Sequence, residues 1–428
     1  MSNLTKIVCF ILFISSQFLR CSNQEKKLTF WIGGAPQEID YWEKLVQQFE
    51  VQSGYDVSVI RQPTDSDQRR QELVISLESR QPDPDLFLMD VIWIGQFAQS
   101  HWVEPLDTFI QQYQFSIAPF FQRVIRLVDR YDNKLYALPV YVDGGLLYYR
   151  QDLLQQFGYI DPPKTWSQLL EMSQKIQSKK QEQNSSFYGF VWQGAQYEGL
   201  VCTFLEFISS NSGGIMMGDQ IKLNRENNLA ALQFMQDLIN KYRISPPNTY
   251  TEMKEEQVRR WFQRGNALFE RNWPYAWELH ESKDSPAKGK IGISPLPHFV
   301  GGESASTLGG WHIGISRFSD QKEKAWQLLQ FITSYKSQKA LVLNLGWNPG
   351  RSDVYADEEV LKKLPHLIRL RSVFEHAVAR PNLPYYTQIS ETIQRYVNSC
   401  LAGKMSPDDA LNHAQMDVDE ITKIYGQK

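Results

Sequence analysis

Apolar positions along the chain alternate between short runs that suit buried strands and longer stretches repeating near 3.6 residues that suit amphipathic helices. Leu28–Ile32 reads as a strand ending at Gly33 and Gly34. A helix follows, with Ile39, Trp42, Leu45, Val46 and Phe49 on one face, and Asp56–Ile60 returns to strand after Gly54. This strand, loop, helix, strand opening predicts an α/β domain with a parallel element. Asp67–Ser79 reads as a second helix facing inward through Leu73, Val74 and Leu77. Asp85–Met89 is a buried strand that leads through Trp93–Ala98 into a helix, and Phe115–Val128 has the pattern of another.

The stretch Leu138–Arg150, LPVYVDGGLLYYR, organises the chain. Pro139 fixes φ at a strand edge, Val140–Val142 favour extended structure, and Gly144 and Gly145 permit a sharp bend or a close approach before Leu146–Tyr149 resumes a strand. A polar, aromatic bend between apolar strands suits a hinge with Tyr141 and Asp143 facing a cleft; an ordinary bulge between core strands is the plainer alternative. Beyond it the rhythm resumes. Thr165 caps a helix over Trp166–Lys180, Phe187–Trp192 is a strand, and Glu198–Ser209, Asn227–Tyr242 and Gln257–Gly265 are helices. Asn266–Arg271, Ile291–Pro295 and Trp311–Ile315 are strands. Helices over Glu323–Tyr335 and Ser337–Leu345 follow, and the remainder is mostly helical to Tyr425.

Glu38 and Asp90 both fall at carboxyl ends of strands, the edge where open α/β sheets bind ligands. For Glu38 the alternative is an acid placed favourably near a helix N-terminus.

At 428 residues the chain exceeds what one hydrophobic core supports, so two domains are expected. Its formal net charge of −3 and the lack of any Lys/Arg run give no reason to expect a nucleic-acid partner. Twelve Trp and 20 Tyr, flat apolar rings with polar edges, suit binding surfaces as well as cores. Lys6 followed by the apolar run Ile7–Ile14 and Ser15–Gln17 reads as a secretory signal over residues 1–20, too short to span a bilayer. Cys21 opens a polar tether over 21–27 and is a lipidation candidate, although Arg20 departs from the small residue normally preceding such a cysteine. Cys202 and Cys400 can pair in an oxidising compartment or remain buried thiols. The seven His are scattered without ligand spacing, so no metal and no cofactor is expected.

The segments FWIGG, PDLFLMDVIWIGQFA, LPVYVDGGLLYYR, RNWPYAW, LGGWHIGI and VARP, in that order, resemble the extracellular solute-binding proteins of ABC importers, specifically the maltose/trehalose-binding branch. The resemblance covers nearly the whole mature chain. It implies a two-lobed periplasmic-binding-protein fold, two α/β lobes joined by hinge strands around a ligand cleft. The first lobe would comprise 28–138 plus 288–335 and the second 139–287 plus 336–428. Carried over residue by residue, the ligand-binding positions are Glu38, one of Arg69 and Arg70, Asp90, Tyr141, Asp143, Trp273 and Tyr275 of the NWPY motif, Gly309, Gly310 and Trp311 of the GGW motif, and Arg380. It also implies a monomer that delivers a disaccharide or glucoside to ABC permease subunits, exported and touching the membrane only through a lipid anchor at Cys21, if there is one.

The residue chemistry agrees with that implication. Carboxylates accept from adjacent sugar hydroxyls, arginine donates through a planar fork, and Trp and Tyr cover C–H faces. Each residue keeps a plainer role: Trp273 and Trp311 as core, Arg380 as a surface ion-pair partner. Trp42, Trp166, Trp261 and Trp326 sit at helical spacing and read as packing, and Trp347 is undecided. One rival function is a secreted glycoside hydrolase, whose paired acids also sit among aromatics. Arginine near the acids argues for permanent ionisation and against a general acid. The other rival is a same-fold binding protein for a polyamine or metal chelate. Maltose, trehalose, sucrose and glucosylglycerol present nearly the same groups and are not separated by the sequence.

Overall fold

The structure, a computed structural model, describes residues 26–34 and 36–426. The expected signal peptide and most of the tether, Cys21 included, lie outside the described residues. The two sheets that frame the molecule are built from nine strands: β1 Leu28–Gly33, β2 Val57–Gln62, β3 Leu86–Asp90, β4 Leu138–Gly144, β5 Leu146–Arg150, β6 Tyr188–Val191, β7 Ala267–Asn272, β8 Ile291–Ser294 and β9 Leu308–Ile315. The first sheet runs β2-β1-β3-β9-β4, with β1 parallel to β2 and β3 and with β9 antiparallel to both its neighbours. The second runs β8-β5-β7-β6. Each sheet has its own core. Phe30, Ile32, Trp42, Phe49 and Trp326 pack with the first, and Trp166, Phe190, Trp192, Phe207 and Leu232 with the second. The fold is thus the expected two-lobed one.

Two expected boundaries move. Ile291–Ser294, assigned above to the first lobe, pairs antiparallel with β5 in the second sheet, Ile291 opposite Arg150 and Ser294 opposite Leu147. A short apolar run does not encode which sheet it joins, and here Gln151 N–H donating to Lys290 O (2.9 Å) fixes the neighbour. Conversely, the helix Tyr335–Leu345, assigned to the second lobe from residue 336 onward, and Trp347 after it contribute Leu341 and Trp347 to the first core. The expected helix over Phe115–Val128 is also shorter: Gln122–Val124 is α-helical and continues as a π-helix over Ile125–Asp129.

The chain passes from the first sheet to the second at Gly145, between β4 and β5. Glycine is required there by close approach. A Cβ on Gly145 would stand 2.0 Å from Glu206 Oε1 and 2.6 Å from Arg271 Nη2. Those two side chains form a bidentate pair, Nε to Oε2 at 2.8 Å and Nη2 to Oε1 at 2.5 Å, with both side chains 1% exposed. Cys202 and Cys400 are buried free thiols and form no disulfide.

Gly145→Ala is therefore expected to force the buried pair apart and to lower unfolding stability by about 3 kcal/mol or more, measured by urea denaturation. A change within experimental error would show that Glu206 and Arg271 can shift without separating.

Candidate functional site

The first wall of the cleft grows from the carboxyl edge of the first sheet. β9 lays Trp311 between Asp90 of β3 and Tyr141 of β4, and Gly309 opposite Asp143. A register shift between Trp311 and His312 re-aims these neighbours. His312 hydrogen-bonds the buried Asp129, while Trp311 meets the edge of Trp93 at a ring-centre distance of 5.2 Å. Arg69 lies over the Trp311 ring, its guanidinium carbon 4.0 Å from the ring centre, and its Nη2 donates to Thr64 O at 2.8 Å. Burial draws the Arg69 pKa below its ordinary value, against Tyr141, Glu38 and Asp90, which favour the charge. Glu38, in the first turn of the Pro36–Ser53 helix, accepts from Trp347 Nε1 at 3.2 Å. The Trp347 ring in turn lies 4.2 Å, centre to centre, from Tyr141.

The second wall comes from the end of β7. Arg271 is spent on Glu206 and carries the Trp273 ring 4.0 Å from its guanidinium carbon, a cation–π contact that orients the indole. Trp273 Nε1 donates to Glu255 Oε1 at 3.4 Å, and the Tyr275 hydroxyl donates to Glu256 Oε1 at 2.9 Å. The walls meet. A Cβ on Gly309 would lie 3.3 Å from Trp273 Cζ3 and 3.4 Å from Asp143 Cβ. Tyr275 packs partly against the first core, and Lys254 of the second lobe reaches Asp65 Oδ2 of the first at 3.5 Å.

Arg380 stands where the lobes join. It donates to Glu198 Oε1 at 2.9 Å, to Leu308 O at 3.2 Å and to Asp90 Oδ1 at 3.5 Å, and it is 5% exposed. Glu198 also accepts from Tyr386 at 2.7 Å and from Ser390. Arg380 is thus a buried connector between Asp90 and Glu198, and the plainer alternative of a surface ion pair is excluded by its burial.

Glu38, Arg69, Asp90, Tyr141, Asp143, Trp311 and the Gly309–Gly310 step of β9 come together, with Trp273 and Tyr275 facing them from the other lobe. Arg70 does not join them: its Nη1 donates to Gln96 Oε1 at 3.1 Å. Helical phase distinguishes the two arginines, since the buried positions of the Ser66–Glu78 helix are Arg69, Leu73 and Leu77, four residues apart. Trp347, undecided from the sequence, joins the site through Glu38, and sequence reasoning missed Glu198, Glu206, Arg271, Glu255 and Glu256. Among the described residues no group of three or more His, Cys, Asp or Glu is arranged to hold a metal ion.

The electrostatics depart from expectation at one residue. Asp143 is pushed up to about 7 by burial, then by the Asp90 and Glu38 carboxylates, with Arg271 acting against them. Burial outweighs the nearby arginine, whose guanidinium is already paired with Glu206. Among the described residues no donor hydrogen-bonds the Asp143 carboxyl.

The chain matches the family described as "Bacterial extracellular solute-binding protein" over residues 35–339. A "Probable ABC transporter-binding protein" of Deinococcus radiodurans is 36% identical over 405 residues, 94% of each chain. A "Maltotriose-binding protein" of Pyrococcus abyssi is 24% identical over 94% of this chain and 81% of its own. Among solved structures, the maltose-bound MalE3 of T. maritima superposes with a TM-score of 0.86 at 38% identity, covering 92% of this chain and 99% of that one. An ABC transporter solute-binding protein of Thermotoga lettingae bound with α-D-tagatose gives 0.83 at 30% identity, covering 93% and 100%.

The raised Asp143 pKa sets a pH dependence. Between about 4, where the unfolded carboxyl ionises, and about 7, the folded protein holds a proton that the unfolded chain has lost, so stability falls as pH rises through that window. Asp143→Asn carries no such penalty. Its ligand-free Tm is expected to exceed that of the unmodified protein by a margin that grows from pH 4.5 to pH 8; a margin constant over that range would place the Asp143 pKa near its ordinary value.

Proposed function

Because the chain belongs to the bacterial extracellular solute-binding protein family, we propose that it is the substrate-binding component of an ABC importer. Its cargo is a disaccharide or related glucoside, with maltose, trehalose, sucrose and glucosylglycerol as the candidates, delivered to membrane permease subunits after the lobes close. The observation that carries this reading is one indole from each lobe, Trp311 on β9 and Trp273 just beyond β7, at a junction that also holds Glu38, Asp90 and Asp143. Rings cover the C–H faces of a sugar and carboxylates accept from its hydroxyls. Since the groups come from both lobes, a ligand that touches both favours the closed arrangement. The T. maritima relative that binds maltose supports the same class of cargo. The protein acts outside the cytoplasmic membrane as a monomer, in the periplasm or at the cell surface, with Cys21 as the candidate position for a lipid anchor; no helix among the described residues is long and apolar enough to cross a membrane.

One observation favours a second reading. A carboxyl held near neutrality, as Asp143 is, suits the general acid of a glycoside hydrolase. The two readings separate in one experiment. Intrinsic tryptophan fluorescence is titrated with the four candidate sugars and a polyamine, and each mixture is then chromatographed. A saturable change with the sugar intact is expected; breakdown of the sugar makes the protein a hydrolase, and saturation by the polyamine with displacement of sugar makes the cargo a cation.

Asp143→Ala and Trp273→Ala are each expected to weaken binding of the tightest sugar by about 30-fold or more, the loss typical of a central buried contact. Unchanged affinity in both variants removes this cleft as the binding site.

A further inference from the structure

The carboxyl end of β2 holds a polar group that the site described above does not use. Gln62 is 5% exposed, and neither of its amide atoms has a hydrogen-bond partner among the described residues. A buried amide without a partner is costly, and buried side-chain amides in folded proteins are normally paired. Its direction follows from strand alternation. The preceding side chain, Arg61, pairs with Glu43 at 2.8 Å and Asp40 at 3.2 Å on the Pro36–Ser53 helix. Gln62 therefore points to the opposite face of the sheet, towards the Ser66–Glu78 helix that carries Arg69.

Gly33 links the two residues. It is the register partner of Gln62 across β1 and β2, and a Cβ placed on it would stand 2.4 Å from Arg69 Cδ and 2.6 Å from Arg69 Nε. Arg69 thus crosses the β1 backbone one strand over from Gln62, on the same face. Its Nε is also buried without a partner among the described residues, whereas Nη2 is satisfied by Thr64 O. One amide donor, one amide acceptor and one guanidinium donor are therefore left unsatisfied on the same face of the sheet, one strand apart. They lie at the sheet edge that holds Asp90, and Arg69 itself covers Trp311.

We infer that Gln62 and Arg69 Nε form a polar subsite on the floor of the first lobe that takes hydroxyl groups of the bound saccharide. The amide accepts from and donates to one hydroxyl, which is both donor and acceptor, and Nε–H donates to its neighbour. An apolar or wholly cationic cargo leaves the set unsatisfied, because a cation offers nothing to the two donors. Gln62 is thereby a specificity-determining residue: a polar site built for a hydroxyl discriminates strongly against a ligand lacking it. This inference rests on the saccharide reading of the cleft.

The test uses the full mature protein and calorimetric titration with maltose, trehalose, sucrose and glucosylglycerol, carrying forward whichever sugar binds tightest. Gln62→Leu replaces the amide by an apolar group of similar size. Its ligand-free Tm is expected to equal or exceed that of the unmodified protein, while its Kd for the sugar rises by about ten-fold or more. A residue that is merely structural gives the reverse, a lower Tm with Kd within two-fold, and that result overturns the inference. Gln62→Glu keeps the shape and an acceptor but loses the donor. Its Kd is expected to rise at least about three-fold, and this variant decides the matter should Gln62→Leu not fold. If the unmodified protein binds none of the four sugars, the saccharide reading itself fails and the subsite falls with it; if it binds and the variants bind equally well, only the subsite falls.

Discussion

The bidentate pair of Arg271 with Glu206 sits where the chain leaves one sheet for the other, and the cleft depends on it. It demands glycine at position 145, it sets the guanidinium plane on which Trp273 rests, and it consumes the positive charge nearest to Asp143. Taking two such ions out of water is expensive, and a fully hydrogen-bonded pair roughly offsets that cost without adding much net stability. What the pair contributes is geometry: a Trp ring held in one orientation and a carboxyl left without a countercharge.

Arg380 repeats the arrangement on the other side of the junction. Glu198, itself held by Tyr386, and the Leu308 carbonyl fix it so that only its long contact with Asp90 reaches towards the cleft. With both second-lobe arginines committed, the surface open to a ligand is rich in acceptors: Glu38, Asp90 and Asp143. A cleft of acceptors between two indoles suits a molecule that brings its own donors on a flat apolar frame, which describes a saccharide. The lobes already touch through Lys254 and Asp65, an exposed pair of small energetic weight, so closing on a ligand is governed by the groups that the ligand itself bridges.

Much of this was legible in the sequence. The strand and helix periods located the sheets, and acids at strand ends located Glu38 and Asp90, because the carboxyl edge of an α/β sheet is a local feature. The hinge stretch was legible because a Gly-Gly step after alternating strand residues has few uses. What escaped was long range. Glu198 and Arg380 are 182 positions apart, and Trp347 reaches Glu38 across 309. No periodicity reports such contacts. The sheet to which Ile291–Ser294 belongs was hidden for the same reason, since its apolar alternation is equally compatible with either neighbour. The choice between Arg69 and Arg70 is available from helical phase, since Arg69 shares its face with Leu73 and Leu77. The ionisation of Asp143 needed the knowledge that Arg271 was already taken.

The most direct test of the cleft as a saccharide site is a crystal structure of the protein with its tightest-binding sugar. The sugar is expected between Trp311 and Trp273, with hydroxyls donating to Glu38, Asp90 and Asp143 and with both lobes in contact. A sugar bound to one lobe alone, or away from the carboxyl edge of the first sheet, would contradict it.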